Sequence, residues 1–111
     1  MDRLELYRQS IIQVLQYYAD LPYRYGDVTT SFIISQDQNQ FLLIDDGWQD
    51  GIRVYGVLVH AEIRNNKIYI QRDDTEEGIT DDLLRSGIQP EEIVLAFHPP
   101  EVRHHTGLAI A

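Results

Sequence analysis

The clearest pattern in the sequence is an alternation of apolar and polar residues between Tyr55 and Asp74. In its first half the odd positions are Val57, Val59, Ala61 and Ile63, and the even positions from residue 60 are His60, Glu62 and Arg64. Because successive side chains of a strand point to opposite faces, this predicts a strand with one apolar face. Asn65-Asn66 follows, and asparagine tolerates the positive φ of a tight turn. The alternation resumes over residues 67–72, so the pattern predicts a β-hairpin. A hairpin alone is marginally stable, so other segments must pair with it and cover its apolar face.

The N-terminal segment has the periodicity of a helix. Its apolar residues recur at steps of three and four: Leu4, Tyr7, Ile11, Val14, Leu15 and Tyr18. This spacing places them on one stripe of an α-helix. Asp2 can cap the first turn, with Glu5 three residues on, and Pro22 bounds the segment. The sequence predicts a helix over residues 2–19.

Further strands are predicted between these two segments and after them. Residues 28–34 and 40–45 are rich in β-branched and apolar residues, residues 52–55 lead into the hairpin, and residues 93–97 form a short apolar run. The stretch 46–51 is predicted to be a loop because it holds two glycines and polar residues. Short connections favour antiparallel pairing of neighbouring strands.

The C-terminal third begins with acidic residues and continues with short helical signals. Acidic residues come first, Ile79, Leu83 and Leu84 share one face, and Gly87 follows, which predicts a short helix. Pro90 is expected to open a turn, and residues 101–105 are expected to form one more helical turn before the apolar tail 108–111. The predicted fold class is α+β: a long N-terminal helix on an antiparallel sheet of about five strands, with one or two short C-terminal helices. Residues 1–111 are expected to form one domain.

The composition excludes some classes of protein. There is no cysteine, so neither disulfides nor thiolate metal sites can form. No apolar run approaches the roughly 20 residues that cross a bilayer, and the N-terminus does not resemble a signal peptide, so a cytoplasmic protein is expected, with no membrane partner. The sequence has nine Lys and Arg residues and eighteen Asp and Glu residues, which gives a formal net charge of −9. Unaided binding to nucleic acid is therefore not expected, because it needs a basic face.

Two sets of residues have the chemistry of a metal or acid/base site. The first set is Asp45, Asp46, His60 and Glu62, and the second is His98, His104 and His105 beside Arg103. Either set can equally be solvated surface, because a metal site needs three or four converging ligands. Glycine-rich phosphate loops and nucleophile elbows are missing from the sequence. The expectation is a protein without catalytic residues, bound metal or cofactor, and a small metal-dependent enzyme or metal-binding module is the alternative.

Other residues have the chemistry of a protein interface. The stretch 73–92 holds eight carboxylates and one basic residue, which can dock on a basic partner or simply cap helices and face water. Tyr23, Tyr25, Trp48 and Tyr55 are the residue types that anchor interfaces, although Trp48 is expected to pack in the core. A homodimer through a sheet edge or an aromatic patch is a further option. The candidate partner-binding residues are Trp48, Tyr55, Glu76, Glu77, Asp81, Asp82 and Arg103.

Many of these segments, in this order and spacing, resemble one family over nearly the whole chain. The segments are Asp45-Asp46-Gly47-Trp48, Arg53 to Tyr55-Gly56, His60, residues 63–71, 75–79, 83–90 and 93–100, and then Arg103 and Thr106. The sequence resembles the XisI family of cyanobacterial fdxN-element excision controlling factors.

The resemblance implies a small cytoplasmic protein that acts with a companion, XisH, in regulated excision of a DNA element by a site-specific recombinase. XisH-like proteins resemble nuclease-fold proteins. The family has no established catalytic residues, so the resemblance transfers none to this chain. An XisH-like protein is the implied partner, and the implied role is accessory and regulatory.

Overall fold

The computed structural model describes residues 2–22 and 26–109, with only the backbone of His104. The elements are α1 (Arg3–Asp20), β1 (Asp27–Ile34), β2 (Gln40–Gln49), β3 (Ile52–Arg64), β4 (Lys67–Asp73), α2 (Thr80–Arg85), a 3₁₀ turn (Pro90–Glu92), β5 (Ile93–Leu95) and a second 3₁₀ turn (Pro100–His105). These confirm the predicted α+β class, the long helix and the five strands. None of the described helices is long and apolar enough to cross a membrane.

The predicted hairpin is β3 and β4, joined at Asn65-Asn66. Both asparagines have positive φ, 52° and 58°. Two consecutive left-handed residues between paired strands form the turn whose twist matches that of the strands. Arg64 pairs with Lys67 directly across this turn. The helix prediction is confirmed as well, because Asp2 is the N-cap and its carboxylate accepts a hydrogen bond from the backbone N–H of Glu5 at 2.8 Å.

The sheet is mixed. Its strand order is β1-β2-β3-β4-β5, and the first three pairings are antiparallel. β5 differs from the expectation, because it lies parallel to β4, with Ile68 opposite Ile93. The prediction of antiparallel pairing rested on short connections. The connection from β4 to β5 is long and contains α2, which is what a parallel crossover requires.

The hydrophobic core lies between one face of the sheet and the two helices. α1 buries Tyr7, Ile11 and Leu15, while α2 and its flanks bury Leu83, Ile79 and Ile88. From the sheet the buried residues are Phe41, Leu43, Val59, Ala61, Ile63, Ile68, Ile70 and Ile93. Burying one large apolar side chain contributes roughly 1.5–3 kcal/mol before chain entropy is subtracted.

A bulge in β3 changes which side chains reach this core. Leu43 pairs with Val59 and Ile44 pairs with Val57, so Leu58 is the extra residue. An extra residue shifts the alternation by one position. Val57 therefore lies on the face opposite Val59, and the prediction that both share the apolar face was wrong.

The predicted loop at residues 46–51 was also wrong. β2 continues to Gln49, and only Asp50 and Gly51 form the turn, both with positive φ. Gly47 lies within the strand opposite Val28. A Cβ on Gly47 would lie 1.9 Å from the carbonyl oxygen of Asp27, so the glycine lets β1 and β2 approach here.

The face of the sheet away from the helices is called the open face below. The registers place on it Asp27, Thr29, Ser31 and Ile33 of β1, the even residues 40–48 of β2, Arg53, Tyr55, Val57, His60, Glu62 and Arg64 of β3, and Lys67, Tyr69 and Arg72 of β4. At the β4–β5 end, Tyr69 and Val94 are buried together with Ala109 of the C-terminal segment. Among the described residues, the C-terminal segment meets the open face only at that end, where Ala109 pairs with Val94.

Candidate functional site

The seven candidate partner-binding residues lie in three different places. Trp48 and Tyr55 are on the open face, on β2 and β3. Glu76, Glu77, Asp81 and Asp82 lie in and before α2, next to α1. Arg103 lies in the second 3₁₀ turn. The structure thus separates an acidic surface from an aromatic one.

The acidic surface forms one wall of a groove between α1 and α2. The groove has a volume of about 650 Å³ and is lined by Gln13, Val14, Tyr17, Tyr18 and Leu21 on one side and by Glu76, Glu77, Asp82, Arg85 and Ser86 on the other. Tyr17 is 62% exposed and Leu21 is 45% exposed, so the α1 wall presents aromatic and apolar surface. Asp81 is exposed beside the groove and does not line it. The groove combines negative charge with aromatic surface, which suits a basic segment of a partner.

The two walls are connected by a hydrogen bond. The hydroxyl of Tyr18 donates to Asp82 Oδ2 at 3.0 Å, and Asp82 also pairs with Arg85 one turn later. Burial, together with the nearby carboxylates of Asp82, Asp73 and Glu77, raises the pKa of Tyr18 to about 12. Tyr18 therefore stays protonated and continues to donate throughout the physiological pH range.

The loop that carries Glu76 and Glu77 is held by Asp73. Its Oδ1 accepts from the backbone N–H of Thr75 at 3.1 Å and from the Thr75 hydroxyl, and its Oδ2 accepts from the backbone N–H of Ile79 at 2.7 Å. One carboxylate thus bonds both ends of the loop and the start of α2. Glu76 and Glu77 are exposed and form no ion pair with the described residues. They therefore contribute negative charge to this wall of the groove.

The aromatic surface is built around Arg53. Its guanidinium carbon lies 5.7 Å from the ring centroid of Trp48 and 5.2 Å from that of Tyr55, and Nη1 lies 2.5 Å from Asp46 Oδ1. Trp48 is 56% exposed, so the prediction that it packs in the core was wrong. Trp48 lies on the open face, which neither α1 nor α2 covers, and this position explains the difference.

Arg103 has a structural position in the C-terminal segment. Its Nε donates to the carbonyl oxygen of His98 at 3.0 Å, and Nη2 lies 3.5 Å from the carbonyl oxygen of Ala96. These contacts hold the turn after β5 in place. Tyr23 and Tyr25, two further suggested anchors, lie outside the described residues.

The metal alternative finds no support in the described part of the chain. Asp45 is 8% exposed on the core face, where it accepts from the Thr30 hydroxyl at 2.7 Å, whereas Asp46 is on the open face beside Arg53. No three His, Asp or Glu side chains among the described residues are grouped as metal ligands. The side chain of His104, from the second suggested set, is not described.

His60 and Glu62 instead belong to a polar network on the open face. His60 Nε2 lies 2.6 Å from Gln40 Oε1, and Gln40 Nε2 donates to Glu62 Oε2 at 2.7 Å. Gln71 Nε2 donates to Glu62 Oε1 at 3.1 Å. The sequence identified the two ionisable members, but it did not indicate the glutamines, which strand pairing brings together.

Comparison with known proteins places these surfaces on a known fold. A family model, XisI protein, matches residues 1–110. A XisI-like protein from Anabaena variabilis has a similar crystal structure, with a TM-score of 0.84 and 26% identity, covering 99% of this chain and 100% of that one. The fdxN element excision controlling factor XisI from the same organism gives a TM-score of 0.81 and 34% identity, covering 99% of this chain and 100% of that one. No curated protein matches the chain. With a family match over nearly every residue and the same fold in two solved relatives, the chain belongs to the XisI family.

Proposed function

We infer that this protein is a non-enzymatic accessory factor that acts by binding another protein in the cytoplasm. The XisI relative at 34% identity is a controlling factor for excision of the fdxN element. We extend that role to this chain as control of site-specific excision of a DNA element, together with an XisH-like partner. The observation that carries the proposal is the acidic groove between α1 and α2.

The groove supports protein binding through its combination of charge and apolar surface. Glu76 and Glu77, which form no ion pair with the described residues, attract a basic segment and speed its encounter, while Tyr17 and Leu21 supply apolar contact once it arrives. A partner segment with alternating basic and apolar residues would satisfy both walls. The rest of the XisH-like protein, and not this chain, would then contact DNA.

Co-purification with the XisH-like protein tests this function. The test variant reverses the charge of Glu76 and Glu77, and the matched control reverses Glu91 and Glu101, which are also exposed glutamates with no ion pair among the described residues. Both variants change the net charge equally. Loss of binding in the first variant alone supports the groove as the partner site.

The outcomes separate the role from the site. If both variants bind the XisH-like protein as well as the unmodified protein does, the groove is not the partner site, although the XisH-like protein remains the partner. Failure of the unmodified protein to bind any XisH-like protein, at low and moderate salt, would contradict the proposed function itself.

A further inference from the structure

The open face between β1 and β3 is an apolar surface that nothing in the described structure covers. Its apolar members form one continuous patch, here called the open-face patch: Ile33, Leu42, Ile44, Trp48, Tyr55 and Val57. Tyr55 is 68% exposed and Ile33 is 43% exposed. Single exposed apolar residues are ordinary, but a contiguous patch with a polar border marks an interaction surface.

The composition of the patch is that of an interface centre. Trp, Tyr and Arg are the residues that contribute most to binding at protein interfaces, and Trp48, Tyr55 and Arg53 are stacked together here. The polar network of His60, Gln40 and Glu62 borders the patch further along the strands. An apolar centre with a polar rim is the usual anatomy of a protein–protein contact.

The distribution of charge indicates which partner this face can accept. The acidic residues on the open face are Asp27, Asp46 and Glu62, and the basic residues there are Arg53, Arg64, Lys67 and Arg72. The open face is therefore close to neutral, although the chain as a whole carries −9. Two copies of so acidic a chain repel each other through most approaches, and contact through this face carries less of that repulsion than contact through the acidic surfaces.

We propose that two copies of this chain pair through their open-face patches about a two-fold axis. A two-fold interface must be self-complementary, and Arg53 and Asp46 already pair within each copy, so neither brings an unpaired charge into the contact. The stacked sheets would lie about 10 Å apart, with the aromatic rings between them.

The size of the patch can be compared with the area that a stable dimer buries. The ten residues of β2 extend about 33 Å, and three strands span roughly 14 Å, which gives a flat footprint of roughly 450 Å². Because side chains project from this plane, the accessible area exceeds the flat footprint and approaches the roughly 600 Å² per copy that small stable interfaces bury. A contact at this lower limit of area favours a weak dimer, so its formation is best followed up to high concentration.

The proposal has a consequence for the acidic groove. Because α1 and α2 lie on the opposite face of the sheet, both grooves of the dimer would face outward. A dimer would then offer two identical sites to basic partners and gain avidity towards a partner that is itself multivalent. The proposal does not depend on what those grooves bind.

The single tryptophan makes the test direct, because Trp48 is in the patch. Sedimentation velocity of the full chain from sub-micromolar to high-micromolar concentration measures dimer formation, and Trp48 emission is recorded over the same series. We expect a monomer–dimer transition in which the emission moves to shorter wavelength with the same midpoint, because dimerisation buries an indole that is 56% exposed in the monomer.

Two variants assign the interface. Tyr55→Glu should give a folded monomer, checked by far-UV circular dichroism, whereas Tyr17→Glu, which changes a similarly exposed aromatic residue on α1, should dimerise like the unmodified protein. A monomer at every concentration would overturn the proposal. So would a dimer whose Trp48 emission does not change, since pairing through the free edge of β1 would give that result. A dimer that persists in folded Tyr55→Glu would overturn it as well.

Discussion

The hydroxyl of Tyr7 on α1 forms a hydrogen bond with the carboxylate of Glu92, 85 positions later in the chain. The same hydroxyl lies 3.0 Å from the carbonyl oxygen of Asn66 in the hairpin turn. Glu92 in addition accepts from the backbone N–H of Gln89 at 2.9 Å and pairs with Arg3. Burial alone would raise the pKa of Glu92, but these hydrogen bonds outweigh it and lower the pKa. Tyr7 thus joins the first helix, the hairpin and the turn before β5.

Removing the Tyr7 hydroxyl should destabilise the protein. A hydrogen bond to a charged group contributes roughly 1.5–3 kcal/mol, so Tyr7→Phe should lower the free energy of unfolding by about that amount. Urea unfolding followed by far-UV circular dichroism measures it. Tyr17→Phe is the control, because Tyr17 is 62% exposed, and its change should stay within about 0.5 kcal/mol. Equal effects of the two variants would contradict the role given to Tyr7.

Stability should fall at alkaline pH because of two tyrosines. Burial, then the carboxylate of Glu92 for Tyr7 and that of Asp82 for Tyr18, raises each pKa to about 12 from an ordinary 10. The unfolded chain therefore ionises first, so the stabilisation is complete below about pH 10 and is lost as the pH rises towards 12. Urea unfolding at a series of pH values should show this decline, and Tyr7→Phe should show a smaller one. A flat profile over that interval would contradict the prediction.

Asp73 should control the order of the loop that carries the acidic groove residues. Asp73→Ala removes an acceptor of three hydrogen bonds, from the N–H and hydroxyl of Thr75 and the N–H of Ile79, and should cost roughly 1–3 kcal/mol. Hydrogen exchange of the amides at 75–79 should speed up as well. Asp74→Ala is the matched control, because Asp74 pairs with Arg72 on the surface, where such a pair contributes at most about 1 kcal/mol. Unaltered exchange in Asp73→Ala would show that other contacts hold the loop.

Two glycines of the sheet should respond oppositely to alanine. In Gly47→Ala the new Cβ would lie 1.9 Å from the Asp27 carbonyl oxygen, so β1 and β2 must separate, at a cost of roughly 2–3 kcal/mol or more. A Cβ on Gly56 meets nothing within 4 Å, so Gly56→Ala should be neutral or slightly stabilising. Thermal unfolding of the two variants gives the comparison. Similar melting temperatures would contradict the close approach of β1 and β2 at Gly47.

The sequence predicted those structural elements that depend on residues close to one another in the chain. The Asn65-Asn66 turn, the Asp2 cap and the apolar stripe of α1 each depend on residues within a few positions of one another, and all were confirmed. The bulge at Leu58 was missed because the register with β2 determines it. Because the sequence does not reveal the bulge, the alternation from Val57 to Ile63 predicted a strand with one uninterrupted apolar face.

The candidate site was predictable in part for the same reason. Glu76, Glu77, Asp81 and Asp82 are close in sequence, so their cluster was visible before the fold was known. Tyr18 was assigned only to the apolar stripe of the predicted helix, and its bond to Asp82 joins residues 64 positions apart. Trp48 was expected in the core because of its size, but its exposure depends on which face of the sheet the helices cover.

The parallel position of β5 has a consequence for how the chain folds during synthesis. Strands β1 to β4 can pair one after another as they leave the ribosome, because each one pairs with the strand made just before it. β5 emerges after α2, and until then one edge of β4 is bare and Tyr7 lacks the carboxylate of Glu92. Until β5 pairs, β4 is an edge strand whose unpaired N–H and C=O groups can bind another strand, so β5 protects the finished sheet from association at the β4 edge.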